Sequence, residues 1–138
     1  MMALNFLPQL TRLEDLRIAS LSIYSGTRSE LIYPYSIGEL KQLKTLELAG
    51  VNLRSLEFLT KCSSLKGLTL NNLPITSISE IGSIRSLEAV SLVDMPVVEI
   101  SPLTFLPNLK GLYLQRVPAR ADIITILEDR GTKVQISK

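Results

Sequence analysis

The chain has 138 residues, of which 46% are hydrophobic and 20% are charged. This composition is typical of one soluble folded domain and argues against a disordered chain. Fifteen Lys and Arg against thirteen Asp and Glu leave a net charge of +2, too small for the positive field of a nonspecific nucleic-acid-binding protein. No apolar run approaches the roughly 20 residues that cross a bilayer, and residues 1–8 lack a secretory signal, so we expect a cytoplasmic protein without membrane contact.

The first predicted element is a strand that begins near Leu13, in the pattern L-x-x-L-x-I. Residues 1–12 resemble the second half of a repeating unit, because Phe6–Leu10 echoes Phe105–Leu109. The strand pattern returns 30 residues later, at Leu43. We therefore expect an incomplete unit at the start of the chain and complete units after it.

From Leu43 onward the strand pattern repeats every 22 residues. Its four regular copies begin at Leu43, Leu65, Leu87 and Leu109. A unit of this length cannot bury its apolar face alone, so such units stack into a solenoid whose parallel strands line one surface. The interval of 30 residues before Leu43 exceeds the repeat of 22 by 8, which predicts an insertion near residues 24–31. A weaker last copy contains Val134 and Ile136, which makes about six units in all.

The second half of each unit also repeats, in three apolar columns spaced three residues apart. The columns contain Leu56, Ile78 and Ile100; Ile37, Leu59, Ile81 and Leu103; and Leu40, Cys62, Ile84 and Leu106. This spacing is typical of one 3₁₀ or α-helical turn that faces inward, and the return should cross over right-handedly. Cys62, the sole cysteine, falls in a core column, so we predict a buried residue rather than a nucleophile.

The last return differs from the others. Asp122 breaks an apolar column, and the apolar residues that follow are spaced for one buried helix face. Asp122 suits the N-cap position, and Gly131 suits the residue after the helix. We expect an α-helix over 122–130 and a final strand over 133–136, all within a single domain, 1–138.

The strand pattern resembles that of the leucine-rich repeat family, L-x-x-L-x-L-x-x-N-x-L, over nearly the whole chain, and fits a short soluble member of bacterial type. The resemblance implies an α/β fold: a right-handed solenoid with a parallel β-sheet on its concave face and short 3₁₀ or α turns on its convex face. One column departs from the family, because apolar residues replace its Asn, namely Leu21, Val51, Leu73, Met95 and Val117. Other groups must then satisfy the backbone at this bend.

The residues between the inward leucines are predicted to face solvent, since side chains alternate across a strand. They form three columns. The first is Asp15, Thr45, Gly67, Ala89, Gly111 and Lys133; the second is Arg17, Glu47, Thr69, Ser91, Tyr113 and Gln135; the third is Ala19, Ala49, Asn71, Val93, Gln115 and Ser137. Most of these residues are small. Either they leave the backbone open to a partner, or they relieve crowding on the inner side of a curved sheet.

We predict a protein-binding surface within these columns. Its candidate residues are Arg17, Glu47, Thr69, Asn71, Ser91, Tyr113, Gln115 and the adjacent Arg116. Tyr beside Arg is typical of interface hot spots, and Arg17 and Glu47 can pair as cross-strand neighbours. The strand face measures roughly 24 by 13 Å, well short of the roughly 800 Å² that each partner buries in a standard complex.

The insertion is the candidate for enlarging this surface. Tyr24, Arg28, Tyr33 and Tyr35 lie in it or just after it. Loops of this composition combine rigid aromatic contacts with adaptable polar ones. The alternative is that Tyr33 and Tyr35 only pack the insertion onto the first units.

Catalysis has little support in the sequence. Histidine is absent, which removes the commonest general base and metal ligand, and no phosphate loop or nucleophile motif is present. We expect a non-enzymatic protein that binds another protein and uses no cofactor and no metal. Two functions stay open: an adaptor that brings proteins together, and a stoichiometric inhibitor or immunity protein that occludes a partner enzyme or toxin. We expect a monomer or a weak homodimer.

Overall fold

The computed structural model of the protein describes residues 2–3, 9–20, 29–32 and 34–138, with residues 2–3 and 29–32 described by their backbone. Its strands are β1 (Met2–Ala3), β2 (Asp15–Ala19), β3 (Ser29–Ile32), β4 (Thr45–Ala49), β5 (Val51–Asn52), β6 (Gly67–Asn71), β7 (Ala89–Val93), β8 (Gly111–Gln115) and β9 (Lys133–Ser137). Six strands form one parallel sheet in the order β2-β4-β6-β7-β8-β9. The predicted α/β solenoid with a parallel sheet is confirmed.

Equivalent residues of consecutive units lie side by side in this sheet. Leu46, Leu68, Val90 and Leu112 are direct partners across β4, β6, β7 and β8, and each is at most 3% exposed. Alternate residues of these strands point to the opposite face, as a period of two requires. The buried apolar side chains form one continuous core, which contains the leucines of the regular strand pattern and the three apolar columns of the turns, as predicted. It also contains Phe58, which no predicted column included.

Short turns on the opposite side of the core connect the strands. They are α1 (Tyr35–Gly38) and three 3₁₀ turns, Glu57–Lys61, Ser79–Ser83 and Ser101–Phe105. The three 3₁₀ turns bury Leu59, Ile81 and Leu103, each 0% exposed. The three-residue spacing of the apolar columns predicted this inward turn.

Consecutive turns stack closely enough to require glycine at two points. A Cβ atom added at Gly38 would lie 2.9 Å from the carbonyl oxygen of Phe58. One added at Gly82 would lie 2.9 Å from the carbonyl oxygen of Pro102. A side chain at either position would therefore force the turns apart.

The inner strands end in bends at which one residue has a positive φ. These residues are Gly50 (φ 66°), Asn72 (52°), Asp94 (51°) and Arg116 (51°). Their N–H groups donate, over 2.9 to 3.3 Å, to the carbonyl oxygens of Asn71, Val93, Gln115 and Ser137 in the next strand. These bonds satisfy one backbone donor at each bend, directly before the column in which apolar residues replace Asn. A column of Gly, Asn and Asp at the repeat spacing is a sequence signal for such a bend.

A second, smaller sheet has the strand order β1-β3-β5. β3 pairs in parallel with β1 and with β5, through two residue pairs each. The last part of the predicted insertion, 24–31, therefore belongs to a strand. Pairings of two residues have no periodicity to detect, and this sheet was not predicted. Tyr24, Arg28 and Tyr33 lie outside the described residues.

The last return is the helix α2 (Ala121–Asp129), one residue earlier at each end than the predicted 122–130. Asp122 was predicted as the N-cap, but Arg120 holds that position and Asp122 lies in the first turn. The Asp122 carboxylate instead accepts from Arg120, with 2.6 Å between Oδ2 and Nη2. At the other end, Gly131 has a φ of 92° and the N–H of Thr132 donates to Leu127 O over 3.0 Å, which is the expected glycine termination.

Candidate protein-binding site

A groove crosses the strands on the concave face of the six-stranded sheet. Its volume is about 660 Å³. It is lined by the first and second columns and by the residues between them, namely Leu16, Leu46, Leu68, Val90, Leu112 and Val134. Every strand of the sheet contributes, so the groove arises from stacking and not from any single unit.

The groove brings together part of the predicted binding set: Arg17, Glu47, Thr69, Ser91 and Tyr113. Asn71 and Gln115 belong to the third column and end their strands, outside the groove lining. Arg116 lies one residue further, at the bend. The third column also contains Ala49, which is 4% exposed and so does not face solvent as predicted.

Tyr35 is 59% exposed but does not line the groove. It borders a separate cleft of about 220 Å³, together with Pro34, Asn52, Leu53, Arg54, Ser55, Glu57 and Phe58. Because Tyr24, Arg28 and Tyr33 lie outside the described residues, Tyr35 is the member of the predicted insertion surface that the structure locates.

Charged and polar side chains at the β2–β4 end of the groove pair with one another. Arg17 Nε lies 3.3 Å from Glu47 Oε2, which confirms the predicted cross-strand pair. The hydroxyl of Thr45 donates to the carboxylate of Asp15. The Arg17 side chain is 71% exposed, so its ion pair contributes about 1 kcal/mol at most to stability. The pairing mainly orients these side chains along the groove.

The floor of the groove lies at backbone level in its middle, where the first column contributes Gly67, Ala89 and Gly111. A Cβ atom added at Gly111 would meet no atom within 4 Å. One added at Gly67 would lie 3.4 Å from Thr45 Cγ2, an ordinary van der Waals contact. Packing therefore does not require glycine rather than alanine at these two positions, and their glycines leave the backbone of the floor open.

Tyr113 is the aromatic residue among those that line the groove. It is half-buried, and its hydroxyl donates to Gln115 Oε1 over 3.2 Å. Arg116, predicted to act beside it, instead donates to both carboxylate oxygens of Asp94. This hydrogen bonding lowers the pKa of Asp94. The Tyr113 ring thus faces the groove, whereas Arg116 is engaged at the bend.

Several groove residues were not among the predicted binding residues, although they belong to the first two columns. They are Asp15, Thr45, Gly67, Ala89, Gly111, Lys133 and Gln135. Membership of a column is the sequence signal that identifies them, because the repeat aligns each column across all six strands. The prediction took most of its residues from the second and third columns and therefore missed the first column entirely.

Groups with catalytic potential are scattered or buried in the described part of the chain. It contains no group of three or more Cys, Asp or Glu side chains placed to hold a metal ion. Cys62 is 1% exposed, and its thiol donates to Ile37 O over 3.6 Å. Burial raises the pKa of this thiol to about 11, so it stays protonated at neutral pH. No helix of the described residues is long and apolar enough to cross a membrane.

A scan against protein-family models gives no match, and a search of curated proteins gives none either. Solved structures do match. The internalin inlF of Listeria monocytogenes has a TM-score of 0.68 at 18% sequence identity, over 96% of this chain and 45% of that chain. Internalin C2 of the same species has a TM-score of 0.59 at 16% identity, over 99% of this chain and 76% of that chain.

A third match is a leucine-rich repeat protein of Leptospira interrogans, with a TM-score of 0.67 at 22% identity. The alignment covers 96% of this chain and 32% of that chain. This chain therefore spans less than half the length of the inlF and Leptospira structures. At such identities the likeness shows a shared fold.

Proposed function

We propose that this chain, which has the leucine-rich repeat fold, is a non-catalytic scaffold that binds another protein in the groove of its parallel sheet. The groove is the observation that carries the proposal. It runs across six strands, its floor lies at backbone level, and charged side chains stand at both ends. Repeat solenoids use extended concave surfaces of this kind for binding.

Because the groove is smaller than a standard interface, we expect a partner to contact neighbouring surface as well. The strand face alone provides less than the roughly 800 Å² that each partner contributes to a standard complex. Tyr35, with 59% of its surface exposed, is one proposed additional contact. Tyr24, Arg28 and Tyr33 are the others, since they belong to the same segment of sequence.

A steric block of the groove tests the proposal. Thr69 and Ser91 are half-buried neighbours on β6 and β7, so the double variant Thr69→Arg/Ser91→Arg fills the middle of the groove without changing the core. Proteins are captured on the immobilised chain from an extract of the source organism and quantified by mass spectrometry. We expect the protein that the wild-type chain captures to be lost with this variant.

The matched control is Ser63→Arg/Thr76→Arg, which makes the same exchanges at exposed positions outside the groove. This variant is expected to retain the captured protein. Melting followed by circular dichroism verifies that both variants fold. Equal capture by the groove variant and the control would contradict binding in the groove.

The second function, a stoichiometric inhibitor or immunity protein, is distinguished by the behaviour of the captured partner. A single tight partner whose enzymatic or toxic activity falls to zero at a one-to-one ratio supports the inhibitor. Several weaker partners that keep their activities support the adaptor. The titration uses the purified partner with the wild-type chain and with the groove variant.

The proposal places the chain in the cytoplasm as a monomer or weak homodimer, without nucleic-acid or membrane contact. The net charge of +2 supports the exclusion of nucleic acid. The homodimer has one support: β9 pairs with β8 and with no other described strand, and Ile136 on β9 is 54% exposed. Light scattering at several concentrations tests this, and a dimer that persists on dilution would contradict it.

A further inference from the structure

The two halves of the groove carry opposite charge when the residue that precedes each strand, at the rim of the groove, is included. The charged residues that line the groove itself are Asp15, Arg17, Glu47 and Lys133. We count the residue before each strand together with the first three strand residues. The half built by β6, β7, β8 and β9 then has three basic residues and one acid, namely Lys66, Lys110, Lys133 and Glu88. The half built by β2 and β4 has three acids and two basic residues, namely Glu14, Asp15, Glu47, Arg17 and Lys44.

Salt bridges leave part of the positive charge uncompensated. Lys110 Nζ lies 3.0 Å from Glu88 Oε1, which neutralises this pair. Lys66 and Lys133 form no salt bridge with any described residue. The pKa of Glu88 is lowered by the hydrogen bond from Lys110, by the charge of Lys110 and, more weakly, by the charge of Lys66. Lys66 therefore acts on the same part of the groove rim as Lys110. Two ammonium groups are therefore left for a ligand.

Lys66 and Lys133 stand at opposite ends of the low floor. Lys66 directly precedes Gly67, and Lys133 continues the first column beside Gly111. Three strand spacings of about 4.8 Å separate β6 from β9, which gives about 14 Å. An extended chain rises about 3.3 Å per residue, so about four residues span this distance.

We propose that the β6–β9 half of the groove binds an extended acidic segment of the partner protein, in which two carboxylates four residues apart meet Lys66 and Lys133. Residues i and i+4 lie on the same side of an extended chain, so both carboxylates point toward the sheet. The backbone-level floor between them lets the segment come close. In the β2–β4 half, Lys44 pairs with Glu14 and Arg17 pairs with Glu47, which leaves the carboxylate of Asp15 without a salt bridge to any described residue. This negative charge repels the same segment and favours its place on the β6–β9 half. This inference rests on the proposed function and names the chemistry of the contact.

The probe is a phage-displayed library of random 12-residue peptides, selected on the immobilised full chain. Acidic residues four positions apart are expected more often among the enriched peptides than in the unselected library. The most enriched peptide is then synthesised, and its Kd is measured by fluorescence anisotropy. Lys66→Glu/Lys133→Glu should weaken its binding about tenfold or more, because two exposed ion pairs are lost and reversed.

A charge reversal outside the groove is the matched control. Lys61→Glu/Arg85→Glu makes the same change in net charge at exposed positions that do not line the groove, and should leave the Kd unchanged. A peptide whose two acids are changed to Lys should regain affinity for Lys66→Glu/Lys133→Glu. Thermal unfolding of each variant verifies that the chain is folded.

Two outcomes of the selection would overturn the inference: no enriched peptide, or enriched peptides without the acidic pair. Equal affinity of the peptide for the groove variant and the control variant would overturn it as well. Tighter binding of a 12-nucleotide single-stranded DNA would also overturn it, since phosphates would then be the preferred ligand. The native partner could also be captured by Lys66→Glu/Lys133→Glu but not by Thr69→Arg/Ser91→Arg. This result would contradict the inference and leave the proposed function in place.

Discussion

Two pairs of glycines show how differently the two faces of the solenoid are built. Gly38 and Gly82 lie in the stacked turns, where an added Cβ atom would come within 2.9 Å of a backbone carbonyl oxygen. Gly67 and Gly111 lie in the groove, where an added Cβ atom would meet an ordinary contact at 3.4 Å or nothing within 4 Å. Glycine on the turn side is thus a requirement of packing, and glycine on the strand side is not.

The difference follows from how each face holds its units together. On the strand side, backbone hydrogen bonds keep neighbouring strands about 4.8 Å apart, and the side chains project away from the sheet into open space. On the turn side, backbone meets backbone between consecutive units, so any added atom opens the stack. Changes on the turn side should therefore act on stability, and changes in the groove should act on binding.

The largest effect is expected in the interior, directly beneath the groove. Leu68 is 2% exposed on the core side of β6, so Leu68→Ala should cost about 2 to 5 kcal/mol of unfolding free energy. The adjacent Thr69 faces the groove, and Thr69→Ala should change stability by less than about 0.5 kcal/mol. Urea denaturation measures both, and a loss below about 0.5 kcal/mol for Leu68→Ala would contradict the core assignment.

A smaller loss is expected from overpacking the turns. Gly82→Ala places a Cβ atom against Pro102 O, and the adjustment should cost about 1 to 3 kcal/mol. Urea denaturation again measures the change. A neutral result would show that the turns can separate freely, and the contrast between the two faces would then disappear.

Alkaline pH should also act on the turn side. Burial raises the pKa of Cys62 from its ordinary value of 9.0 to about 11, despite the opposing charge of Lys41. As the pH rises, the Cys62 thiol loses its proton in the unfolded chain before it does so in the folded chain. The contribution of the buried, protonated thiol to stability is therefore complete below about pH 9 and is lost as the pH rises toward about 11. The unfolding free energy, measured from pH 8 upward, should therefore fall more steeply with pH for the wild type than for Cys62→Ala. Equal slopes would mean that the thiol is accessible to solvent.

The smallest effect should have the opposite sign. Gly111→Ala adds a methyl group in open space and reduces the freedom of the unfolded chain, so it should raise the unfolding free energy by about 0.5 to 1 kcal/mol. Its matched partner is Gly82→Ala, the same exchange on the other face. Destabilisation by Gly111→Ala would show that the groove floor is more crowded than its geometry indicates.

The sequence predicted the core and the sheet because their signals are local and repeated. The inward positions of Leu46, Leu68 and Val90 follow from spacing within a strand, and their alignment follows from the constant repeat. The same alignment placed Arg17 beside Glu47 and the three columns in register across all six strands. The bend at Gly50, Asn72 and Asp94 was not predicted, although these residue types favour a positive φ and recur at the repeat spacing.

Other features depended on contacts between units and carried no such signal. Arg116 has a positive φ that its residue type does not favour, and its guanidinium is held by Asp94 of the preceding unit. Asp122 has a residue type that suits an N-cap, yet Arg120 engages its carboxylate. Tyr35 was assigned to the same surface as the strand columns, but it borders a different cleft.

By itself, the sequence determined that the leucines of the regular strand pattern are buried and which strands of the six-stranded sheet are neighbours, because a 22-residue repeat with leucines at fixed intervals stacks in register. Only the tertiary structure decided how much space lies above the exposed columns and which charges compensate one another there. Those properties depend on distances between residues of different units, and no spacing along one chain specifies such distances.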